Sequence, residues 1–440
     1  MGLAALRPWM PEGPRPEPAR LDPITLLPNR RQYSADAMLW GAGKASLVLV
    51  TLCDAHTFSE ILRVFGHARS EAFLRAGAER LRDILGPGTP VYHVNQLSFV
   101  FRLPGRTEPD APQMVDRIVA GFREPIHCDD VPIDTRIGIG LKGLGIAGGN
   151  PGEDLRAALA AAEDSRTRPK GWAWFDPRRD DAHRRAFRLL SDLKSALATE
   201  GQLALHYQPK VGLGCGSCDS AEALLRWTHP EFGAVSPGEF VALAETTALV
   251  TPMTRWVIDS ATRQAAIWAV EGLDISVAIN VSPKNLEEPD FVEYLLFCCT
   301  MRHIDRARVE LEVTEGIQAA RGGLILDRLA ALRKLGFSIA IDDFGSGYSN
   351  MSYLTRLSAH TLKIDQSLVR GVEEGTLGGR LVSNIIHMGR DLGYRVVAEG
   401  IETESERALL AGWGCDYGQG WHFGRPMPAE TFADWHAGNR

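Results

Sequence analysis

The chain has 440 residues, of which 45% are hydrophobic and 23% are charged, and its formal net charge is −7. This length allows two or three domains with a large buried core. The acidic balance argues against binding to nucleic acid polymers and against adhesion to an anionic membrane. Apolar runs such as Ser46–Leu52 are far shorter than the roughly 20 residues that a membrane-spanning helix needs.

The seven cysteines are odd in number and scattered, which predicts a reducing, cytoplasmic setting rather than a disulfide framework. Cys215 and Cys218 form a single CxxC in a glycine-rich turn. No second pair accompanies them, so a reduced surface hairpin is favoured over a zinc or redox role.

The first 20 residues are rich in proline and arginine and predict a flexible leader. From residue 21 to about residue 177, strands and helices interleave without a regular repeat, which predicts a small α+β domain. Its main predicted elements are the strand Ser46–Leu52, the helices Phe58–Val64 and Glu71–Leu85, and a strand near Ile133–Leu141.

The stretch Gly138–Gly143 formally fits the dinucleotide-binding pattern GxGxxG. That fingerprint needs a helix directly after it, whereas Gly148-Gly149-Asn150-Pro151 intervenes here, so a strand followed by a turn is predicted. Residues 178–192 then predict a connecting helix, in which aspartates between the arginines favour a solvated surface over contact with nucleic acid.

From residue 193 to residue 440, short apolar strands alternate with amphipathic helices, which predicts a parallel sheet closed into an α/β barrel. Eight strands are predicted, at Leu203–Gln208, Ala221–Trp227, Ser276–Val281, Val309–Thr314, Ser338–Asp343, Thr361–Asp365, Arg395–Gly400 and Cys415–Phe423. Their polar residues converge on one mouth, where such barrels carry out chemistry. Five acids and an amide crowded there would repel each other, so the sequence predicts a metal site, and oxygen ligands favour Mg²⁺ or Mn²⁺.

Seven motifs follow one another in this half of the chain: Glu222-Ala223-Leu224, Asn280-Val281-Ser282, Glu312-Val313-Thr314-Glu315, Asp342-Asp343-Phe344-Gly345, Leu362-Lys363-Ile364-Asp365, Ala398-Glu399-Gly400 and Gln419-Gly420. In this order they resemble the bacterial EAL-domain cyclic di-GMP phosphodiesterases. The resemblance implies a modified (β/α)8 barrel that hydrolyses cyclic di-GMP to linear pGpG with two Mg²⁺ or Mn²⁺ ions.

The resemblance also implies a role for each matched residue. One metal is implied to be held by Glu222, Asn280, Glu312 and Asp342, and the second by Asp342, Asp343 and Glu399. The implied catalytic residues are Lys363, Glu399 and Glu222, with Lys363 positioning or deprotonating the attacking water. A lysine among acids should stay charged, which favours the positioning role.

The residues implied to bind or support the dinucleotide are Gln208, Leu224, Arg226, Asp365, Glu402 and Gln419. The loop implied to link metal occupancy to dimer contacts comprises Phe344, Gly345, Ser346, Gly347, Tyr348 and Ser349.

The segment Leu21–Arg30 resembles the opening of a GGDEF domain, the diguanylate cyclase fold. The signature turn is missing, because Asn95-Gln96-Leu97-Ser98-Phe99 stands where Gly-Gly-Asp-Glu-Phe is expected, and Leu62-Arg63 replaces the pair that reads guanine. Gln96 and Ser98 supply no acid to hold a metal or activate a hydroxyl, so we expect no cyclase activity. A regulatory or dimerising role is expected, with residual GTP binding near Asp54 as the alternative.

We therefore expect a cytoplasmic phosphodiesterase that forms a homodimer through its barrel. Two other functions stay open at this point. The protein could be a receptor that binds cyclic di-GMP without hydrolysing it, or the barrel could be a scaffold on which partner proteins dock.

Overall fold

The computed structural model describes residues 20–40, 45–104, 111–128, 131–144, 150–166, 168–314, 322–346, 354 and 357–439. The chain divides into two compact units, Met1–Arg184 and Arg185–Arg440. Nearly all of the predicted leader lies outside the described residues. Within the described ranges, no helix is both long and apolar enough to cross a membrane.

The first unit is built on a mixed sheet. Its strands are β1 Ala45–Thr51, β2 Val91–Asn95, β3 Ser98–Pro104, β6 Gly138–Leu144 and β7 Trp172–Trp174, and a separate hairpin is formed by β4 Ile126–Cys128 and β5 Val131–Ile133. The order across the sheet is β2-β3-β1-β6-β7, in which β1 runs antiparallel to β3 and β6 and β6 runs parallel to β7. Its helices are Arg30–Met38, Ala55–Leu85, Ala111–Gly121 and Pro151–Ser165, and the helix Pro177–Ala198 begins here.

Both faces of this sheet are covered, because alternate residues of β1 belong to different cores. Val48 and Val50 join the core that contains Phe73 of the helix Ala55–Leu85. Leu47 and Leu49 join the core on the other face, with residues of the helix Pro151–Ser165. The domain is therefore a sandwich of helices around one sheet.

The first unit agrees with the two predicted helices and shifts one predicted strand. The two helices lie end to end within Ala55–Leu85 and are separated by a break at Gly66, whose φ is +76°. The strand predicted near Ile133–Leu141 is present but displaced: β5 ends at Ile133, and β6 runs from Gly138 to Leu144. The GxGxxG stretch is part of β6, and a side chain at Gly140 would overlap the carbonyl oxygen of Ala158. Gly138 and Gly140 therefore allow close packing of this strand against the helix Pro151–Ser165.

The second unit is a closed barrel. Its strands are β8 Leu203–Gly212, β9 Cys218–His229, β11 Ser276–Asn280, β12 Val309–Thr314, β13 Ser338–Phe344, β14 Thr361–Ile364, β15 Arg395–Ala398 and β16 Tyr417–Gln419. The short strand β10 Gly233–Val235 pairs antiparallel with the end of β9. The helices are Pro237–Glu245, Val250–Val270, Pro283–Glu287, Phe291–Met301, Gly322–Lys334, Gln366–Val369, Leu377–Asp391, Glu404–Gly412 and Ala429–Gly438. The strand order is β9-β11-β12-β13-β14-β15-β16-β8, and β8 pairs again with β9 to close the ring.

The expectation of an all-parallel barrel is wrong for its first strand. β8 runs antiparallel to both of its neighbours, β9 and β16. The residues between β8 and β9 make a tight connection, in which Gly216 has a φ of +72°. Such a hairpin reverses the chain, whereas parallel neighbours need a longer crossover. The CxxC turn is thus the hairpin that the sequence favoured.

Candidate active site

Lys363, on β14, lies at the centre of the barrel mouth and is fully buried. Its Nζ is 2.7 Å from Glu399, 2.9 Å from both Glu312 and Asp342, and 3.5 Å from Glu222. These acids come from four other strands or strand ends. Parallel strands bring their carboxyl ends to one rim, which is why residues so far apart in sequence meet around one ammonium group.

The acids form two overlapping groups. Oxygens of Glu222, Glu312 and Asp342 lie within 4.8 Å of one another, and so do oxygens of Asp342, Asp343 and Glu399. Asp342 belongs to both groups. This arrangement has the form that two adjacent cations sharing one carboxylate would require.

Glu222 is held by amides on both sides. Its Oε1 accepts a hydrogen bond from Asn280 Nδ2 at 2.7 Å, and its Oε2 accepts one from Gln419 Nε2 at 2.7 Å. The same Gln419 amide nitrogen is 3.1 Å from Gln208 Oε1, and Gln208 donates to the carbonyl of Gly424. These contacts fix the orientation of Glu222 across the seam where β16, β8 and β9 close the barrel.

Asp342 and Asp343 occupy an irregular part of β13. The pairing of β13 with β14 shifts register between Ile341 and Phe344. Asp343 has a φ of +55°, a conformation that is unfavourable for most residues other than glycine. Its backbone N–H donates to Asp342 Oδ1 at 3.0 Å. The irregularity turns two consecutive carboxylates toward the same mouth, which a regular strand with alternating side chains would not do.

Burial, with the charge of neighbouring acids, raises the pKa values of several carboxyl groups. Burial, together with the charge of Glu222, raises the pKa of Glu312 to about 8. Burial and Asp342 raise the pKa of Asp343 to about 6, and burial raises the pKa of Glu399 to about 7 despite the nearby Lys363. Burial also acts on Glu222, but Lys363 and Lys210 outweigh it and lower the pKa of that carboxyl to about 2.

Lys363 stays protonated in this setting. Burial by itself favours its neutral form, but the surrounding acids, Asp342 first, raise its pKa well above the usual lysine value. A lysine that holds its proton so firmly is suited to stabilise negative charge and to orient a bound group. It is poorly suited to act as a general base.

The residues present fit divalent cations. The side-chain donors of the two groups are all carboxylate oxygens, which suit Mg²⁺ and Mn²⁺ rather than softer metals. Glu312 Oε2 is buried and accepts no hydrogen bond from the described residues, although Lys363 Nζ lies 2.9 Å away. Lys363 carries a single positive charge among four acids, so divalent cations would offset the remaining negative charge of this buried group. Asn280 lies next to Glu222 and can add an amide oxygen.

A cavity of about 230 Å³ opens directly above these acids. Of the residues predicted to bind or support substrate, Gln208, Leu224, Glu402 and Gln419 line this cavity. Arg226 and Asp365 are not among its lining residues. Arg226 donates to the carbonyl of Leu225, and Asp365 caps the helix Gln366–Val369, so their contact with substrate stays a prediction.

Sequence reasoning missed part of the cavity wall. Arg370 and Trp421 both line it, and the guanidinium of Arg370 lies 5.7 Å from the centre of the Trp421 ring. Arg370 also pairs with Glu402 at 3.0 Å. No motif marks Arg370, but its position one helical turn after the lysine-bearing strand could have suggested it. Trp421 directly follows the motif Gln419-Gly420, and this position next to a predicted site residue indicates that it lies near the site.

The loop after β13 is described only in part. Gly345 has a φ of +92°, and Ser346 returns to the carbonyl of Asp343 through its backbone N–H and its hydroxyl. Phe344 is buried in the barrel core. The other three residues of the predicted regulatory loop, Gly347, Tyr348 and Ser349, lie outside the described residues.

Comparison with known protein families agrees with this geometry. The sequence model of the EAL-domain family matches residues 190–426 of this chain. The chain belongs to the EAL family. In front of its EAL domain, residues 19–170 match the model described as the diguanylate cyclase, GGDEF domain.

Two curated relatives of this EAL protein come from Pseudomonas aeruginosa. The cyclic di-GMP phosphodiesterase PA2567 is 36% identical over 94% of this chain and 71% of its own length. The bifunctional diguanylate cyclase/cyclic di-GMP phosphodiesterase MucR is 33% identical over 93% of this chain and 60% of its own length. A solved complex of the PaMucR phosphodiesterase with c-di-GMP matches 56% of this chain and 99% of its own, with 40% identity and a TM-score of 0.53. The chain thus spans about 60 to 70% of the length of these two relatives.

Proposed function

We propose that this EAL protein hydrolyses cyclic di-GMP to linear pGpG with two Mg²⁺ or Mn²⁺ ions. The observation that carries the proposal is the pair of carboxylate groups that share Asp342 around Lys363, beneath an open cavity. The relative PA2567, which aligns with 94% of this chain, is named a cyclic di-GMP phosphodiesterase. All the acids that the metal sites need are present, which favours an enzyme over a receptor without hydrolytic activity.

In this proposal the chain's own residues bind the two metal ions and orient the attacking water. Glu222, Asn280, Glu312 and Asp342 would hold one ion, and Asp342, Asp343 and Glu399 the other. Divalent ions so held lower the pKa of bound water and neutralise charge on a phosphodiester. Lys363 orients the attacking water and stabilises the negative charge that develops during attack.

The cavity wall would bind the dinucleotide. Gln208, Leu224, Glu402 and Gln419 line it, together with Arg370 and Trp421. The guanidinium groups of Arg370 and Arg425 lie 5.7 and 4.3 Å from the centre of the Trp421 ring. An indole with such neighbours offers a flat apolar face and positive charge, which suits a purine and a phosphate. We further propose that Arg226 and Asp365 contribute when substrate is bound, and that Phe344, Gly345 and Ser346 respond to metal occupancy.

We propose that the GGDEF domain has no cyclase activity and acts in regulation or dimerisation. Ser98 stands where that family has an acid, and its hydroxyl is buried against Thr51 Oγ1 at 3.0 Å. Asn95 caps the turn by accepting from the Leu97 N–H, and Asp54 caps the helix Ala55–Leu85 by accepting from the Thr57 N–H. Each of these groups has a structural partner, and none is an acid pair that could hold a metal. GTP binding near Asp54 is the weaker alternative.

Turnover assays test the enzyme proposal. Purified protein should convert cyclic di-GMP to pGpG in the presence of Mg²⁺ or Mn²⁺, as followed by chromatography, and Glu222→Ala should abolish the product. Asp327→Asn, an exposed acid on an outer helix of the same barrel, is the matched control and should keep full activity. Tight binding of cyclic di-GMP without product under either metal would instead identify a receptor. Calorimetry without any heat of binding would leave only a docking scaffold.

We also propose a cytoplasmic homodimer that forms through the EAL barrel. The homodimer rests on the family resemblance, and the cytoplasmic setting on the odd number and scattered positions of the seven cysteines. Light scattering at micromolar concentration with substrate and metal should give twice the mass of the chain. A monomeric mass under those conditions contradicts it.

A further inference from the structure

A buried ion pair lies beneath the active site, on the floor of the barrel. Lys210 of β8 and Glu310 of β12 have side chains that are only 3% and 9% exposed, and Lys210 Nζ is 2.7 Å from Glu310 Oε1. Both residues line a cavity of about 270 Å³ together with Ser338, Thr361 and Arg395. These three residues begin β13, β14 and β15, so the cavity is at the end of the barrel opposite the active site.

Lys210 connects this floor to the metal site above it. The same Nζ atom is 2.7 Å from Oε1 of Glu312, which is fully buried. One carboxylate oxygen of Glu312 therefore contacts Lys210, while its other oxygen, Oε2, faces the ammonium of Lys363 at 2.9 Å. Glu312 is also the side chain that is grouped with Glu222 and Asp342, so Lys210 holds it from below and leaves Oε2 on the side of the acids.

Lys210 is itself held in place from below. Glu310 Oε2 accepts hydrogen bonds from Thr361 Oγ1 at 2.9 Å and from Ser338 Oγ at 3.2 Å, and the Arg395 guanidinium is 3.9 Å away. Both oxygens of Glu310 are thus occupied, which prevents the carboxylate from rotating. The result is a fixed chain of contacts from the floor through Glu310 and Lys210 to Glu312.

Stability alone does not account for this pair. Taking a lysine and a glutamate out of water is costly, and apolar residues of similar volume often serve a core equally well. A buried pair whose lysine also contacts a metal ligand has a second effect, because groups that orient ligands commonly change metal affinity by about 10–100-fold.

We propose that Lys210, fixed by Glu310, is a positioning residue that orients Glu312 so that Oε2 is presented to a divalent cation. The inference rests on the proposed function only in requiring that Glu312 binds a metal. Lys210 touches neither the cavity above the acids nor the reacting groups, so it acts through Glu312.

Direct measurement of Mn²⁺ binding tests this role without depending on turnover. Lys210→Met leaves Glu310 buried and unpaired, and it can fail to fold. The double variant Lys210→Met with Glu310→Leu removes both charges at similar volume and should remain folded in EDTA, as followed by circular dichroism. We expect its Mn²⁺ dissociation constant, measured from the paramagnetic resonance of free Mn²⁺, to rise about 10–100-fold. Lys194→Met, an exposed lysine on the helix Pro177–Ala198, is the control and should bind like wild type.

A chemical-rescue experiment adds a readout that a merely structural role would not move. In Lys210→Ala whose folding has been verified by circular dichroism, methylammonium or ethylammonium can enter through the floor cavity and replace the missing ammonium group, so either should restore Mn²⁺ affinity. Tetramethylammonium donates no hydrogen bond and should not.

The outcomes separate this inference from the proposed function. A folded double variant whose Mn²⁺ dissociation constant stays within about twofold of wild type would overturn the role of Lys210, whereas the range expected above supports it. Wild-type protein that binds Mn²⁺ but does not cleave cyclic di-GMP overturns the proposed function and leaves the comparison of affinities valid. Wild-type protein that binds no Mn²⁺ overturns both.

Discussion

Gln419, on the last strand of the barrel, donates from Nε2 to Oε2 of Glu222, on the second strand, over 2.7 Å. Both side chains are buried. The contact spans the seam at which the barrel closes, so the correct placement of one predicted metal ligand depends on the closure of the whole ring.

Replacing Gln419 should therefore weaken metal binding. Gln419→Met keeps the volume but removes the donor to Glu222 and the contact with Gln208. We expect Mn²⁺ affinity to fall about 10–100-fold, as for other groups that orient metal ligands. Calorimetric titration measures the change. Gln264→Met, on the outer helix Val250–Val270, is the control; equal affinities in both variants would contradict the role of Gln419.

Lys363 should contribute most to the stability of the fold when metal is absent. In EDTA, Lys363→Met leaves four acids around an apolar side chain, and we expect the free energy of unfolding to fall by about 3–5 kcal/mol. Mg²⁺ binds the folded protein only, so saturating Mg²⁺ should recover much of this loss. Hydrolysis should still fall at least about 100-fold, because the group that stabilises charge is gone.

Denaturant unfolding with and without Mg²⁺ measures both effects of Lys363→Met. The exposed Lys334→Met, on the helix Gly322–Lys334, should behave like wild type. A loss of stability in Lys363→Met that is the same with and without Mg²⁺ would mean that the acids do not share a metal.

The stability of the metal-free protein should decrease, rather than increase, as the pH rises toward 8. The folded-state pKa values of Asp343, Glu399 and Glu312 are raised to about 6, 7 and 8, so the folded state binds protons that the unfolded chain has already released. Stability in EDTA should therefore decline as the pH rises through this interval. The pKa values of Glu222 and Glu310 are lowered to about 2 each. Their contribution to stability is therefore constant above the ordinary glutamate pKa and is lost only as the pH falls below it.

Metal binding should show the opposite trend with pH. A cation needs these carboxylates ionised, so its apparent affinity should increase as the pH rises from about 6 to about 8. Thermal melts across this range, in EDTA and in Mg²⁺, measure both trends. Parallel curves under the two conditions would exclude protons and metal competing for the same oxygens.

The first domain offers a test that leaves the barrel untouched. Gly140→Ala would push a methyl group into the backbone of the helix Pro151–Ser165, at a cost of about 1–3 kcal/mol to that unit. Gly143→Ala, on the same strand but with open space around it, should have little effect. Limited proteolysis of the first unit measures the difference. Equal susceptibility of the two variants would show that the strand and the helix can separate without cost.

Much of the site was visible in the sequence because barrel strands carry their polar residues at one end. Asn280, Asp342 and Glu399 follow apolar runs, and the regular alternation of strand and helix brings such ends together. That rule is topological, so it needs no knowledge of exact distances. The resemblance of the ordered motifs to the EAL family then implied a role for individual residues.

The remainder depends on contacts that no local pattern encodes. The positive φ of Asp343 depends on an irregularity in the pairing of β13 with β14. Arg370 and Trp421 approach each other from positions about fifty residues apart. Lys210 was overlooked because a lysine inside an apolar strand has meaning only once its buried partners are known.

The reversed strand β8 has a consequence for how the barrel is made. Its pairing with β9 is local and can form early, but its pairing with β16 joins Lys210 to Gln419, which leaves the ribosome about two hundred residues later. Until then both the hairpin and the growing sheet keep an open edge, and open edges invite pairing with other chains. Slow, non-local closure of this kind makes translation of the last strand the step at which a nascent barrel becomes safe from aggregation.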